Sequence, residues 1–223
     1  MQAIYTLPCA APAVWTPADI LSALETAARH HSFHLNIHFD RLYRDFGALW
    51  MIVRCRYTLD RQPRGDLTVK TWMRSPTPAL SIRDFDMEDA EGPVGQAVQT
   101  WVVVDAQTRH LVNLKEIPPL WELPYVSPER SGALRNLRLP ELPVAAHWTV
   151  DPAEIDSNGH LNNVQYIRHA QQFAPADTRS LEIIYDRECF AGETLTLEAA
   201  DGCVRGVKPD GSESFRARFR SEA

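Results

Sequence analysis

The chain predicts an α+β fold made of two consecutive halves, each a helix followed by an antiparallel sheet. Three observations carry that reading. A capped amphipathic segment opens at Thr16, alternating β-branched runs separated by turn residues follow it, and beyond a proline-rich stretch the same order of elements returns. At 223 residues the chain has room for one large domain or two small ones, and usual domain sizes near ~100–150 residues favour two. No residue-level repeat accompanies the correspondence, which rests on element order.

The helix is announced by Thr16 as N-cap, Pro17 at the first helical position and Asp19 at the third. Ile20, Leu21, Leu24, Ala27 and Ala28 recur at helical spacing and make one stripe for burial, leaving Glu25 and Arg29 on another face. Residues 49–57, 67–72, 80–85 and 98–104 alternate and are rich in β-branched and aromatic side chains, so they read as strands. Turn residues at 61–66 and 89–93 separate them, as antiparallel neighbours require. Prolines at 118, 119, 124, 128, 140 and 143 interrupt regular structure over 115–143. The expected division is residues 1–120, a linker at 121–143, and residues 144–223. In the second half 147–150 reads as a strand, 162–173 as a helix, and 181–189, 193–200, 202–207 and 215–219 as strands.

Composition narrows the function classes. A hydrophobic fraction of 44% with 23% charged residues excludes disorder, and no apolar run approaches the ~20 residues of a membrane span. The first residues carry no positive charge ahead of an apolar core, so no secretory signal is expected and the cytoplasm is the expected compartment. A net charge of -6 disfavours non-specific nucleic-acid binding. Cysteines 9, 55, 189 and 203 lack C-x-x-C spacing, which fits neither a disulfide framework nor a structural zinc site. His30, His31, His34 and His38 are irregularly spaced and read as a solvated helix end and strand rather than metal ligands. No metal or dissociable cofactor is implied.

The densest chemistry lies in Asp156-Ser157-Asn158-Gly159-His160-Leu161-Asn162-Asn163, with Glu188-Cys189 downstream. In an extended segment Asp156, Asn158 and His160 share one face, an acid, an amide and an imidazole able to bind and activate water. Asn162 and Asn163 read as a helix start, whose free N–H groups favour negative charge on a substrate oxygen. Taken alone, Asp156-Ser157-Asn158-Gly159 is also a good turn and capping sequence. A single cysteine such as Cys189 is most often a small buried hydrophobe, and Tyr166 is more often core or pocket wall than chemistry.

These residues resemble the acyl-carrier-protein thioesterases of plants and bacteria. The pattern D-x-N-x-H-x-N-N-x-x-Y is met by Asp156, Asn158, His160, Asn162, Asn163 and Tyr166, and the Glu-Cys pair by Glu188-Cys189. In the first half, Trp50 with Pro63-Arg64-Gly65-Asp66, Thr71-Trp72, Arg83-Asp84-Phe85, and Trp101-Val102 with Thr108-Arg109 follow the same family's order. One departure is Asp186, two before Glu188, where a basic residue is common. The resemblance implies two tandem hotdog domains, each a long helix wrapped by a curved antiparallel sheet, with an acyl-chain slot between helix and sheet. It implies that the first half holds the chain, with Leu24, Trp50, Ile52, Trp72 and Phe85 as liners, and that the second is catalytic.

The implied activity is hydrolysis of acyl-acyl-carrier protein, releasing free fatty acid and ending chain elongation. One route activates water with Glu188 or Asp156 as base, His160 assisting and Asn158 orienting. The other makes Cys189 a nucleophile with His160 as its base. A carboxylate beside the cysteine disfavours the thiolate, so the water route is preferred, with Cys189 supporting. Asn162, Asn163 and Tyr166 are the expected substrate contacts. Arg168, Arg179, Arg187, Arg216, Arg218 and Arg220 are candidates to meet the acidic carrier or its phosphopantetheine phosphate. An acyl-CoA thioesterase and a non-catalytic acyl-binding hotdog protein are the alternatives. Two fused hotdogs supply the pairing that single ones obtain by dimerising, so a monomer or a loose homodimer is expected.

Overall fold

Helix α1 (Pro17–His34) forms where its cap predicts. The Thr16 hydroxyl accepts from the Asp19 N–H at 3.2 Å, and the Asp19 carboxylate accepts from the Thr16 N–H at 3.0 Å, a reciprocal box that satisfies two otherwise orphaned donors. The apolar stripe from Ile20 to Ala28 is buried. A computed structural model describes residues 2–126, 136–156 and 158–221. In it α1 is preceded by β1 (Ile4–Cys9) and followed by α2 (Phe39–Phe46), β2 (Ala48–Leu59), β3 (Leu67–Met73), β4 (Ser81–Asp89) and β5 (Gly92–Asp105). The second half contains β6 (Val144–Thr149), α3 (Asn163–Ala170), β7 (Ser180–Tyr185), β8 (Thr194–Ala200), β9 (Cys203–Val207) and β10 (Glu213–Arg220).

All ten strands join one antiparallel sheet in the order β1-β3-β4-β5-β2-β7-β10-β9-β8-β6. Matching β6 to β1, β7 to β2, and so on to β10 and β5, gives the same pairing order in both halves. The correspondence read from element order therefore extends to strand pairing. The halves meet where β2 pairs with β7, from Arg54 opposite Ile184 to Thr58 opposite Ser180. Beyond the seam the Leu59 N–H donates to the Arg179 carbonyl at 2.7 Å, and Gln62 donates to the Thr178 carbonyl at 2.8 Å. Helices α1 and α3 touch, and their apolar faces share one core with strands of both halves, including Tyr57, Phe85, Ile183 and Phe215.

Several boundaries differ from expectation for local reasons. Strand β7 ends at Tyr185, short of the predicted 189, because the Asp186 and Arg187 N–H groups both turn to the Ser214 carbonyl, at 2.8 and 3.0 Å. Glu188 and Cys189 thus follow the strand instead of lying in it. The α-helical part of 162–173 stops at Ala170 and continues as a 3-10 turn to Phe173. Strand β1 and helix α2 were not anticipated. His38 caps α2 instead of entering a strand, and Gly47 closes that helix in the left-handed region at φ 60°. Part of the proline-rich stretch is packed, since Leu114, Ile117, Leu120 and Leu123 are buried in a second cluster with Leu42 and Val103. Residues 127–135 of the expected linker lie outside the described residues.

A buried ion pair ties β4 to the loop after β3. Arg74 Nε and Nη2 donate to the two Asp84 carboxylate oxygens at 2.6 and 2.7 Å, and each side chain is only 3% exposed. Asp84→Ala removes both carboxylate acceptors from a buried guanidinium, so the expected loss is about 3–5 kcal/mol of unfolding free energy, read from urea denaturation. A loss below about 1 kcal/mol would mean that the pair behaves as a solvated surface contact.

Candidate active site

The segment from Asp156 to His160 closes on itself. Ile155 and Leu161 form an isolated antiparallel bridge, the Asp156 N–H donates to the His160 carbonyl at 2.9 Å, and the Gly159 N–H donates to the Asp156 carbonyl at 3.1 Å. Gly159 sits at φ 84°, a conformation that costs other residues strain. The expectation of an extended run with alternating side chains is therefore corrected to a tight turn. The same turn still gathers the residues. One Asp156 oxygen accepts from the Asn158 N–H at 2.7 Å and the other from its side-chain amide at 3.3 Å, which fixes Asn158 against the acid.

Two further bonds set this turn against its neighbours. The Leu161 N–H donates to the Cys189 carbonyl at 2.8 Å, which brings the Glu188-Cys189 segment alongside. Asn162 then caps α3, its side chain accepting from the Val164 N–H at 2.9 Å and its carbonyl from the Gln165 N–H at 2.9 Å. With those two amides engaged, the Asn163 N–H is the first open donor of the helix among the described residues.

His160 lies between two carboxylates. Its Nε2 is 3.3 Å from Glu188 Oε1, its Nδ1 is 4.0 Å from Asp156 Oδ1, and its side chain is 15% exposed, so little water competes for it. Arg109 comes from the first half, in the turn after β5, and sets Nη2 3.1 Å from His160 Nε2 and Nη1 3.6 Å from Glu188 Oε1. When Nε2 is unprotonated it accepts from Arg109, and when it carries a proton it donates to Glu188. The ring can thus exchange a proton without losing a partner. Arg109 adopts φ 60°, and its turn is held by Asp105, whose carboxylate accepts from the Gln107 and Thr108 N–H groups and is held below the usual carboxylate range by them. Sequence reasoning quoted Thr108-Arg109 as part of a family pattern but did not place Arg109 in the site.

Cys189 is fully buried, and its hydrogen-bond partner is Ser214 Oγ at 2.9 Å, not His160. Ser214 Oγ also lies 2.9 Å from the Arg187 carbonyl, and Tyr166 is a further hydrogen-bond partner of the thiol. Burial pushes the thiol upward, against thiolate formation. Tyr166 is also buried, with tilted edge contacts to Trp148, Tyr185 and Phe215.

Asp156, Asn158, His160, Asn163 and Glu188 open onto a cavity of about 870 Å³. Asn162 and Tyr166 also line it, as do Trp50, Ile52 and Trp101 from the first half. The other expected liners stand elsewhere. Leu24 and Phe85 are spent in the core under α1, and Trp72 lies on the opposite face of the sheet, since Thr71 pairs with Phe85 and successive side chains alternate. Glu25 was expected on the face of α1 away from burial. Instead its carboxyl enters the cavity wall, with Oε1 buried and without a hydrogen-bond partner among the described residues. Burial pushes Glu25 up to about 8, the Asp156 charge adds to the rise, and Arg29 opposes it.

Charged groups sort themselves similarly. Arg168 and Arg187 line the cavity with Arg29 and Arg109, whereas Arg179 and Arg218 bond backbone carbonyls. Arg216 holds Asp186 through two bonds of 3.0 and 2.9 Å, which neutralises that departure from the family pattern locally. In the histidine cluster, His31 is buried instead of solvated. It accepts from Arg83 at 2.8 Å beneath the ring of Tyr5, and burial lowers it to about 4.

Residues 15–117 match the family model of the acyl-ACP thioesterase N-terminal domain. Among curated proteins the chain is 27% identical over 170 residues to oleoyl-acyl carrier protein thioesterase 2 of Arabidopsis thaliana, covering 66% of this chain and 46% of the relative. It is 26% identical over 176 residues to the palmitoyl-acyl carrier protein thioesterase of the same plant, covering 71% and 43%. The chain thus spans about half the length of the curated relatives it matches. Among solved structures it superposes on an acyl-ACP thioesterase from Bacteroides thetaiotaomicron with a TM-score of 0.85 at 20% identity, covering 97% of both chains. A 12:0-ACP thioesterase from Umbellularia californica gives 0.79 at 18% identity, covering 99% and 97%. The fold is the expected α+β tandem hotdog, and the resemblance read from the residues holds.

The buried thiol of Cys189 predicts that thiol-reactive reagents label Cys9, which is partly exposed, in the native protein and reach Cys189 only on unfolding. Peptide mass spectrometry reads this directly. Rapid native labelling of Cys189 would show it accessible and reactive.

Proposed function

We propose that this relative of the acyl-ACP thioesterases is a thioester hydrolase that releases free fatty acid from acyl-carrier protein. The observation that carries the reading is the arrangement of Asp156, His160, Glu188 and Arg109 at the head of a cavity large enough for an acyl chain. Water attacks the thioester carbon as the Glu188–His160 pair takes its proton. Asp156 keeps Asn158 in place, and its own oxygens are engaged there, which makes Glu188 the better base. Negative charge gathering on the carbonyl oxygen is met by the Asn163 N–H at the start of α3. As the tetrahedral intermediate collapses, the C–S bond breaks and the departing sulfur receives the proton held by His160. Cys189 stays a thiol throughout and supports the loop.

The two halves divide the work. Residues 1–120 provide most of the chain slot, 144–223 provide the reacting groups, and 121–143 connect them. Arg109, Arg168 and Arg187 at the cavity give a net acidic protein a local positive surface for the carrier's phosphopantetheine phosphate. The named relatives act on oleoyl, palmitoyl or 12:0 chains, so medium and long saturated or monounsaturated acyl groups are the substrates to test.

Free fatty acid release from acyl-carrier proteins and matching acyl-CoAs, across chain lengths, tests the reading. Turnover is expected to favour the carrier-linked series. Glu188→Gln and Asp156→Ala lower kcat by about 100-fold or more, whereas Cys189→Ala keeps it within about 10-fold. A Cys189→Ala protein as inactive as Glu188→Gln would establish the thiol route. Acyl binding without turnover on either series would make this an acyl-binding protein.

A further inference from the structure

Glu25 is a cavity carboxyl that the hydrolytic scheme leaves unused. It projects from α1 in the first half, whereas Asp156 and His160 belong to the turn before α3 in the second, and all three line the same cavity. Its Oε1 is buried and unpartnered among the described residues, an arrangement that costs stability unless a ligand completes it.

We propose that Glu25 is a further catalytic residue, whose carboxyl group hydrogen-bonds the carbonyl oxygen of the reacting thioester from the side of the cavity formed by α1. This rests on the thioester reading of the site and deepens it. The contact requires the acid to donate, and its surroundings favour that state. Asp156 faces it from the catalytic turn and disfavours its ionisation, the neutral Cys55 of β2 and Tyr185 of β7 lie beside it, and Arg29, on its own helix, opposes the rise. With Asp156 accepting from Asn158 and Glu25 protonated, the two carboxyls take opposite parts, one fixing Asn158 and one donating to the oxyanion. Glu25 keeps its proton throughout, so no transfer is added to the reaction. Together with the Asn163 N–H it would give the oxyanion two donors, one from each half.

The pH dependence has a definite sign. Glu25 is neutral below about 8 and ionises above it, so the donor is present at neutral pH and is lost as pH rises. In the wild type kcat/KM is expected to fall on the alkaline side of about pH 8. Glu25→Gln, which retains a donor that does not titrate, loses a few-fold in rate and lacks that alkaline limb. Glu25→Ala loses about 100-fold in kcat. A turnover-independent measurement runs beside these, using calorimetric binding of two non-hydrolysable acyl-pantetheine analogues, a ketone that keeps the carbonyl and a thioether that lacks it. The contact predicts that Glu25→Ala weakens the ketone by about 10-fold and leaves the thioether unchanged. Equal effects on both analogues, or an alkaline limb that persists in Glu25→Gln, would overturn it. Wild-type protein without hydrolase activity would defeat the thioester reading, while the ketone-to-thioether difference would still decide whether Glu25 contacts a carbonyl.

Discussion

The pairing of β2 with β7 is the constraint on which the rest depends. It converts two five-stranded sheets into one and sets α1 and α3 side by side on a shared core. Only in that arrangement can Arg109, carried by the turn after β5, reach His160 on the other side of the seam. The cavity has the same origin, since its walls are drawn from α1, β2 and β5 on one side and from the Asp156–His160 turn and α3 on the other. A shift of β7 by one residue would reverse which of its side chains face the helices, so the register of the seam is as much part of the site as the acids are.

Electrostatics in the site works by division of labour among like charges. Asp156 and Glu188 flank one imidazole, and Glu25 faces the same space. Three ionised carboxylates around a partly dry cavity would repel one another. The structure relieves this in different ways: Asp156 accepts from Asn158, Glu188 lies beside Arg109, and Glu25 is driven toward its neutral form by burial. The cations that line the cavity come from both halves, so neither half alone presents the full arrangement.

Much of the architecture was legible because it is local. The Thr16–Asp19 box, the apolar stripe of α1 and the alternation of β2 to β5 each follow from short-range pattern, and the strands beyond Asn162 do as well. Strand β1 escaped notice because it is a half-exposed edge strand containing Pro8, which weakens the usual strand signal. Helix α2 carries Phe39, Leu42, Tyr43 and Phe46 at helical spacing, a signal confined to eight residues that the sequence reading did not take up. The segment from Asp156 to His160 was legible as residue types, but its geometry was not, because a glycine at positive φ and an acid-held turn override simple alternation. Glu25 shows the limit of periodicity most clearly. A polar residue off the apolar stripe reads as solvated, and only the arrival of the second half turns that face inward. Arg109 depends on contacts more than fifty positions away, which no local window contains.

The seam also has a consequence for how the chain is made. β2 is complete once residue 59 has emerged, but its partner β7 follows only at residues 180–185. At ordinary ribosomal speeds of about 5–20 residues per second, the nascent first half waits on the order of ten seconds with a long, apolar strand open along one edge. That edge invites pairing with neighbouring polysomal chains. Arg54 and Arg56 lie within the waiting stretch, and their charges oppose such premature contacts until the proper strand arrives.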